Sequence, residues 1–193
     1  MQYAISILLS GVSLGGQYAL IAIGYTMVYG ILRLINFAHG DVFMVAGLMM
    51  VYLTASLPLA ASIPLVLVLT VLLGFVIERA AYKPLREAPR MSVMISAIGV
   101  SYLLQNLATY VTGGLPQRYP EIPGISATVT SFGVPTKWVT VITPVLVLVL
   151  VLALTQLINH TKVGMAMRAV AKDFEAAQLM GIKINAVISV TFI

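Results

Sequence analysis

The first 32 residues contain no charged side chain. As a helix such a run reaches ~45 Å, against a hydrocarbon core of ~30 Å, so it must tilt, project or break. It lacks the basic start and small-residue cleavage site of a signal peptide and reads as a retained membrane helix. Further apolar runs cover 41–57, 63–78, 91–112 and 139–158, and another begins near 184. Pro58 and Pro64 are expected to close the short turn between the second and third. The fold this predicts is an all-α, polytopic transmembrane helix bundle. Only 9% of residues are charged, where a soluble domain has about a quarter, which excludes an ordinary soluble fold.

Charge sets the orientation. Arg33, Arg79, Lys83, Arg86, Arg90, Lys162, Arg168, Lys172 and Lys183 fall in one set of connections, and only Arg118 and Lys137 in the alternate set. The richer set belongs in the cytoplasm by the positive-inside rule, so the N-terminus is expected outside. The net charge of +5 then reflects topology and anionic lipid, and no basic-aromatic surface for nucleic acid is present. The connection 113–138 carries four prolines and four glycines and reads as an extracytoplasmic loop. It serves either as a contact for a partner outside the membrane or as a simple connector.

Residues 159–183 form a polar, basic island. Val163, Met167, Val170, Phe174 and Ala177 recur on one helical face, with Arg168, Lys172 and Glu175 opposite. Thr161 is a plausible N-cap, and Gly181 can take the left-handed conformation beyond the last turn, which predicts one amphipathic helix of about five turns. Two readings fit: a helix lying on the lipid surface, or one docking on a soluble partner.

Glu175-Ala176-Ala177, three further residues and then Gly181 resemble the EAA loop of ABC importer permeases, the cytoplasmic helix that fits a groove on the ATPase. The proline-free continuation Ile188-Ser189-Val190 departs from the longer form of that motif and suits one subfamily. Together with Leu34-Ile35-Asn36-Phe37-Ala38-His39-Gly40-Asp41 and Glu78-Arg79-Ala80-Ala81-Tyr82-Lys83-Pro84-Leu85-Arg86, the chain resembles permeases for branched-chain amino acids almost throughout. The resemblance implies a single transmembrane permease domain over 1–193, with a cytoplasmic coupling segment at 159–183. Because the sixth apolar run stops after about ten residues, the chain is expected to be the N-terminal part of a longer permease. ATPase coupling would rest on Arg168, Lys172, Glu175, Ala176, Ala177 and Gly181.

Polar groups inside apolar runs cost free energy in hydrocarbon, so they mark candidate substrate-path positions. Ser6, Ser10, Ser13 and Gln17 share a stripe of the first helix, and Ser92, Ser96, Gly99 and Asn106 one of the fourth, with Gln105 beside it. Either stripe could equally be interhelical glue, as could Gly11 and Gly15 in GxxxG spacing. The sharpest candidate is the stretch 33–41, where Asn36, His39, Gly40 and Asp41 interrupt two apolar runs. Gly40 would permit the turn and Asp41 cap the next helix, with a plain cytoplasmic turn as the alternative. The candidate path is therefore Gln17, Asn36, His39, Asp41, Ser96 and Asn106.

No cysteine and two isolated histidines give no metal site, and no phosphate-binding loop or nucleophile motif occurs. No catalysis, cofactor or metal is expected. The resemblance implies an importer subunit in a bacterial inner membrane. Its partners would be a second permease subunit, two ABC ATPase subunits and an extracytoplasmic binding protein. The rival is a secondary transporter or channel without an ATPase, for which only His39 and Asp41 offer ionisable groups at depth. A passive structural subunit is a third reading.

Overall fold

The computed structural model describes all residues except 1, 33, 34, 87, 120–126, 132, 133 and 193. The long apolar runs become α1 (Gln2–Leu32), α2 (His39–Ser56), α3 (Leu59–Ile77), α4 (Arg90–Thr112) and α5 (Trp138–His160). All five are long and apolar enough to cross a membrane. Shorter helices follow: α6 (Lys162–Lys172), α7 (Phe174–Leu179) and α8 (Ile184–Phe192). The chain divides into two compact units, Met1–Gly24 with Glu121–Met165, and Tyr25–Pro120 with Ala166–Ile193.

In the first unit the early part of α1 meets α5 through a small residue. A Cβ on Gly16 would lie 3.3 Å from Val147 Cγ2. Gly11 and Gly15, the expected GxxxG pair, meet nothing within 4 Å, so the close packing falls one residue further on. The proline-rich connection contains an antiparallel hairpin, β1 (Thr128–Ser131) with β2 (Val134–Lys137), and runs directly into α5. The corner from α5 to α6 requires a glycine: a Cβ on Gly164 would sit 2.1 Å from Ile158 O. Thr161 caps α6 as expected, accepting the Gly164 N–H at 3.0 Å.

In the second unit α2 and α3 form a hairpin closed by Leu57 and Pro58. Pro64 lies inside α3 instead of in this turn, a correction to the expected boundary. The Ser62 hydroxyl, fully buried, donates to Pro58 O at 3.2 Å, beside the Ala61 and Ser62 N–H groups that the same carbonyl accepts. Helix α3 does not stop where the first charges appear. It widens into a π-turn, Glu78–Tyr82, and tightens into a 3-10 turn, Lys83–Leu85, before α4 begins. One apolar cluster joins Ile77, Tyr82, Val93, Ala97 and Leu104, with Phe192 of α8 against it. A second joins Ile31 at the end of α1 to Met167, Val170, Ala177 and Val187. Helix α8 approaches α3 at backbone distance, since a Cβ on Gly74 would lie 2.8 Å from Phe192 O.

Candidate functional site

The break between α1 and α2 is organised by Asn36. Its side-chain oxygen accepts the Ala38 N–H at 3.1 Å and the Tyr82 hydroxyl at 2.6 Å, while its backbone carbonyl accepts the His39 N–H at 3.2 Å. The turn therefore uses an asparagine side chain and does not need Gly40, which lies within the first turn of α2 and has no positive φ. Arg33, at the head of this stretch, lies outside the described residues. The His39 ring meets Tyr25 edge-on at 6.2 Å.

Asp41 also departs from expectation. It lies in the first turn of α2 without capping it; its carboxylate reaches across to α4. There Oδ2 accepts the Ser101 hydroxyl and Oδ1 accepts the Gln105 amide at 3.0 Å, and the same amide donates to Ser101 Oγ at 3.1 Å. Ser101 is the central residue of α4, with ~16 Å of helix on either side. Asp41 thus stands level with the middle of a span-length helix.

The other sequence candidates separate. Ser96 donates to Ala81 O of the π-turn at 3.1 Å, near the Asn36–Tyr82 pair. Asn106 bonds its own helix at Tyr102 O, 2.7 Å, on an exposed face, and does not join the Asp41 group. Gln17 belongs to the first unit, where it is exposed.

A second carboxylate was not singled out in the sequence. Glu78, 0% exposed, accepts from an Arg86 guanidinium nitrogen and, on its other oxygen, from Ser189 of α8 at 3.1 Å. Arg86 also donates to Asn185 Oδ1 of α8. The Tyr82 and Phe192 rings meet at 5.0 Å, tilted by 46°, beside them. Helix α8 is in this way fastened to the end of α3 and the turn after it by two hydrogen bonds, one to each member of the Glu78–Arg86 ion pair, and a ring contact. The available signal was the ionic pair at a spacing of eight, but the apolar run was read as ending there.

The polar, basic segment 159–183 is two helices instead of one. Asp173 leaves the helical conformation and caps α7, its carboxylate accepting the N–H groups of Glu175 at 2.9 Å and Ala176 at 3.1 Å. Local side-chain capping prevails here over continuous amphipathic spacing. Gly181 stops α7 as expected: φ is 82°, and Ile182 N–H reaches back to Ala177 O at 3.1 Å. Met167, Val170 and Ala177 are buried against Ile31 and Val187, whereas Val163 and Phe174 lie exposed at the edges of the stripe. Arg168, Lys172, Glu175, Ala176 and Gly181 face outward. Leu179 and Met180, which periodicity did not flag, are 88% and 84% exposed at the tip before Gly181.

Residues 7–193 match the family described as the branched-chain amino acid transport system permease component. The LivH permease protein of the high-affinity branched-chain amino acid transport system is 38% identical in Escherichia coli strain K12 and 37% in Salmonella typhimurium. In both, the match covers 99% of this chain and 66% of the relative. The BraD permease protein of Pseudomonas aeruginosa is 36% identical over 96% of this chain and 65% of its own. The chain thus spans about two thirds of the length of these relatives. No solved structure matches it. With five helices of spanning length and a family match across nearly all its residues, this multi-pass membrane chain belongs to the branched-chain amino acid transport system permease component family.

Proposed function

We propose that the chain acts as a transmembrane permease subunit of an ATP-driven importer for branched-chain or related small apolar amino acids. It would work with a second permease subunit, two ABC ATPases and an extracytoplasmic binding protein. The observation that carries the coupling role is the disposition of residues 162–181. Met167, Val170 and Ala177 are already covered by the protein itself, so the segment does not need lipid to bury its apolar stripe. What it offers outward is a charged face with an apolar tip, Leu179 and Met180, next to a tight glycine stop. That suits a groove on a soluble partner better than a membrane surface. ATP binding would close the ATPases and move α6 and α7. Their shared contacts with Ile31 and Val187 would carry the motion into the ends of α1 and α8.

Co-purification tests the docking. Glu175→Lys reverses a charge facing a basic groove, and Gly181→Trp puts bulk where φ is positive. Both variants should release the ATPases or uncouple their hydrolysis from uptake, whereas lipid adsorption would tolerate the added lysine. Wild-type retention and coupling in both variants would remove the role.

The proposed orientation places the N-terminus outside and the turns around residue 88 in the cytoplasm. A cysteine in Ala88→Cys should then react in inverted vesicles and stay protected in intact cells from an impermeant maleimide. Reaction from outside would reverse the topology.

A further inference from the structure

Resting on the permease reading above, we infer that Asp41, Ser101 and Gln105 form the site that receives the α-ammonium group of the transported amino acid. Three observations lead there. The carboxylate stands beside the midpoint of α4, where an ionised group is most costly and most often functional. Its donors are a hydroxyl and a primary amide, both neutral, and among the described residues no ion pair joins it. The charge of Asp41 is therefore held in place but not neutralised. Finally, the group is open on one side: Asp41 is only half-buried and Gln105 is exposed.

An ionised carboxylate has about four acceptor positions, and the two protein donors leave room for an incoming ammonium. That ligand supplies the missing positive charge together with up to three N–H donors. A free carboxylic acid or a purely apolar solute would supply neither. Ser101 and Gln105 act as positioning residues: each fixes one carboxylate oxygen, and their own hydrogen bond ties the pair together. The break before α2 brings the carboxylate to this depth, because Asn36 and Tyr82 hold the turn from which Asp41 projects.

The experiment uses the full-length permease with its partner subunits in proteoliposomes, leucine-loaded binding protein outside and ATP within. Asp41→Asn preserves shape and hydrogen bonding but removes the charge. The ammonium site requires leucine uptake to fall about tenfold or more, with the ATPases still co-purifying and Asp41→Glu keeping more uptake than Asp41→Asn. An interhelical polar contact alone predicts near-normal uptake for Asp41→Asn, and that result would overturn the site. Gln105→Lys is an independent arm, because it tethers an ammonium against the same carboxylate. The site predicts blocked uptake in an assembled complex, and normal uptake there overturns it even where Asp41→Asn fails to assemble. A wild-type importer that took up no leucine on ATP addition would instead sink the permease reading itself.

Discussion

Asp41 and Glu78 are both carboxylates in helices of spanning length, yet they are treated in opposite ways. Glu78 has no exposed surface and is matched by a guanidinium, with Ser189 completing its second oxygen. Asp41 is half-buried and receives neutral donors. A buried charge that is paired with an opposite charge can serve as a fastening. One that is bonded but not neutralised keeps an affinity for cations. The comparison separates the part of the chain that joins helices from the part proposed above to receive a solute.

The largest test of this contrast removes one member of the fastening. Glu78→Leu or Arg86→Leu leaves an unpaired ion in a closed site and should cost about 3–5 kcal/mol, read as loss of thermal stability in detergent. The double variant should recover much of that loss, since two apolar side chains leave no charge behind. A single variant as stable as wild type would break the contrast at once. Asp41→Asn should move uptake while leaving thermal stability nearly unchanged.

A smaller test compares the two serines. Ser189→Ala deletes a hydrogen bond to a buried charge and should lower stability by about 1.5 kcal/mol. Ser101→Ala leaves Asp41 with Gln105 and a half-open site, so its effect should appear in uptake and stay within about 1 kcal/mol in stability. Equal effects of the two on melting temperature and on uptake would erase the distinction.

Features governed by neighbouring residues were legible in the sequence. The spans, the Thr161 cap and the Gly181 stop depend on hydrophobic length, one hydroxyl and one missing Cβ. Misreadings arose where two local rules competed. Asp173 fits the helical spacing of its surroundings, but its carboxylate satisfies the first N–H groups of a new helix better than it serves an old one. Pro64 reads as a helix breaker and lies near the start of a helix. The sites themselves were only half visible. Asn36 and Asp41 stand out as polar residues in apolar runs, but Tyr82 and Ser101 come from 46 and 60 residues away. Ser101 also lies off the serine stripe of its own helix, so no periodicity could have selected it.

The fastening at Glu78 also bears on how the chain enters the membrane during synthesis. Arg86 is 8 residues from Glu78, whereas Ser189 is 111 away. The ionic half can close as soon as α3 and its turn emerge, so Glu78 meets the edge of the membrane already paired instead of as a bare carboxylate. Ser189 follows only after roughly 5–20 s of further elongation at bacterial rates. Through that interval the second carboxylate oxygen of Glu78 stays uncommitted, and the arrival of α8 is what completes it.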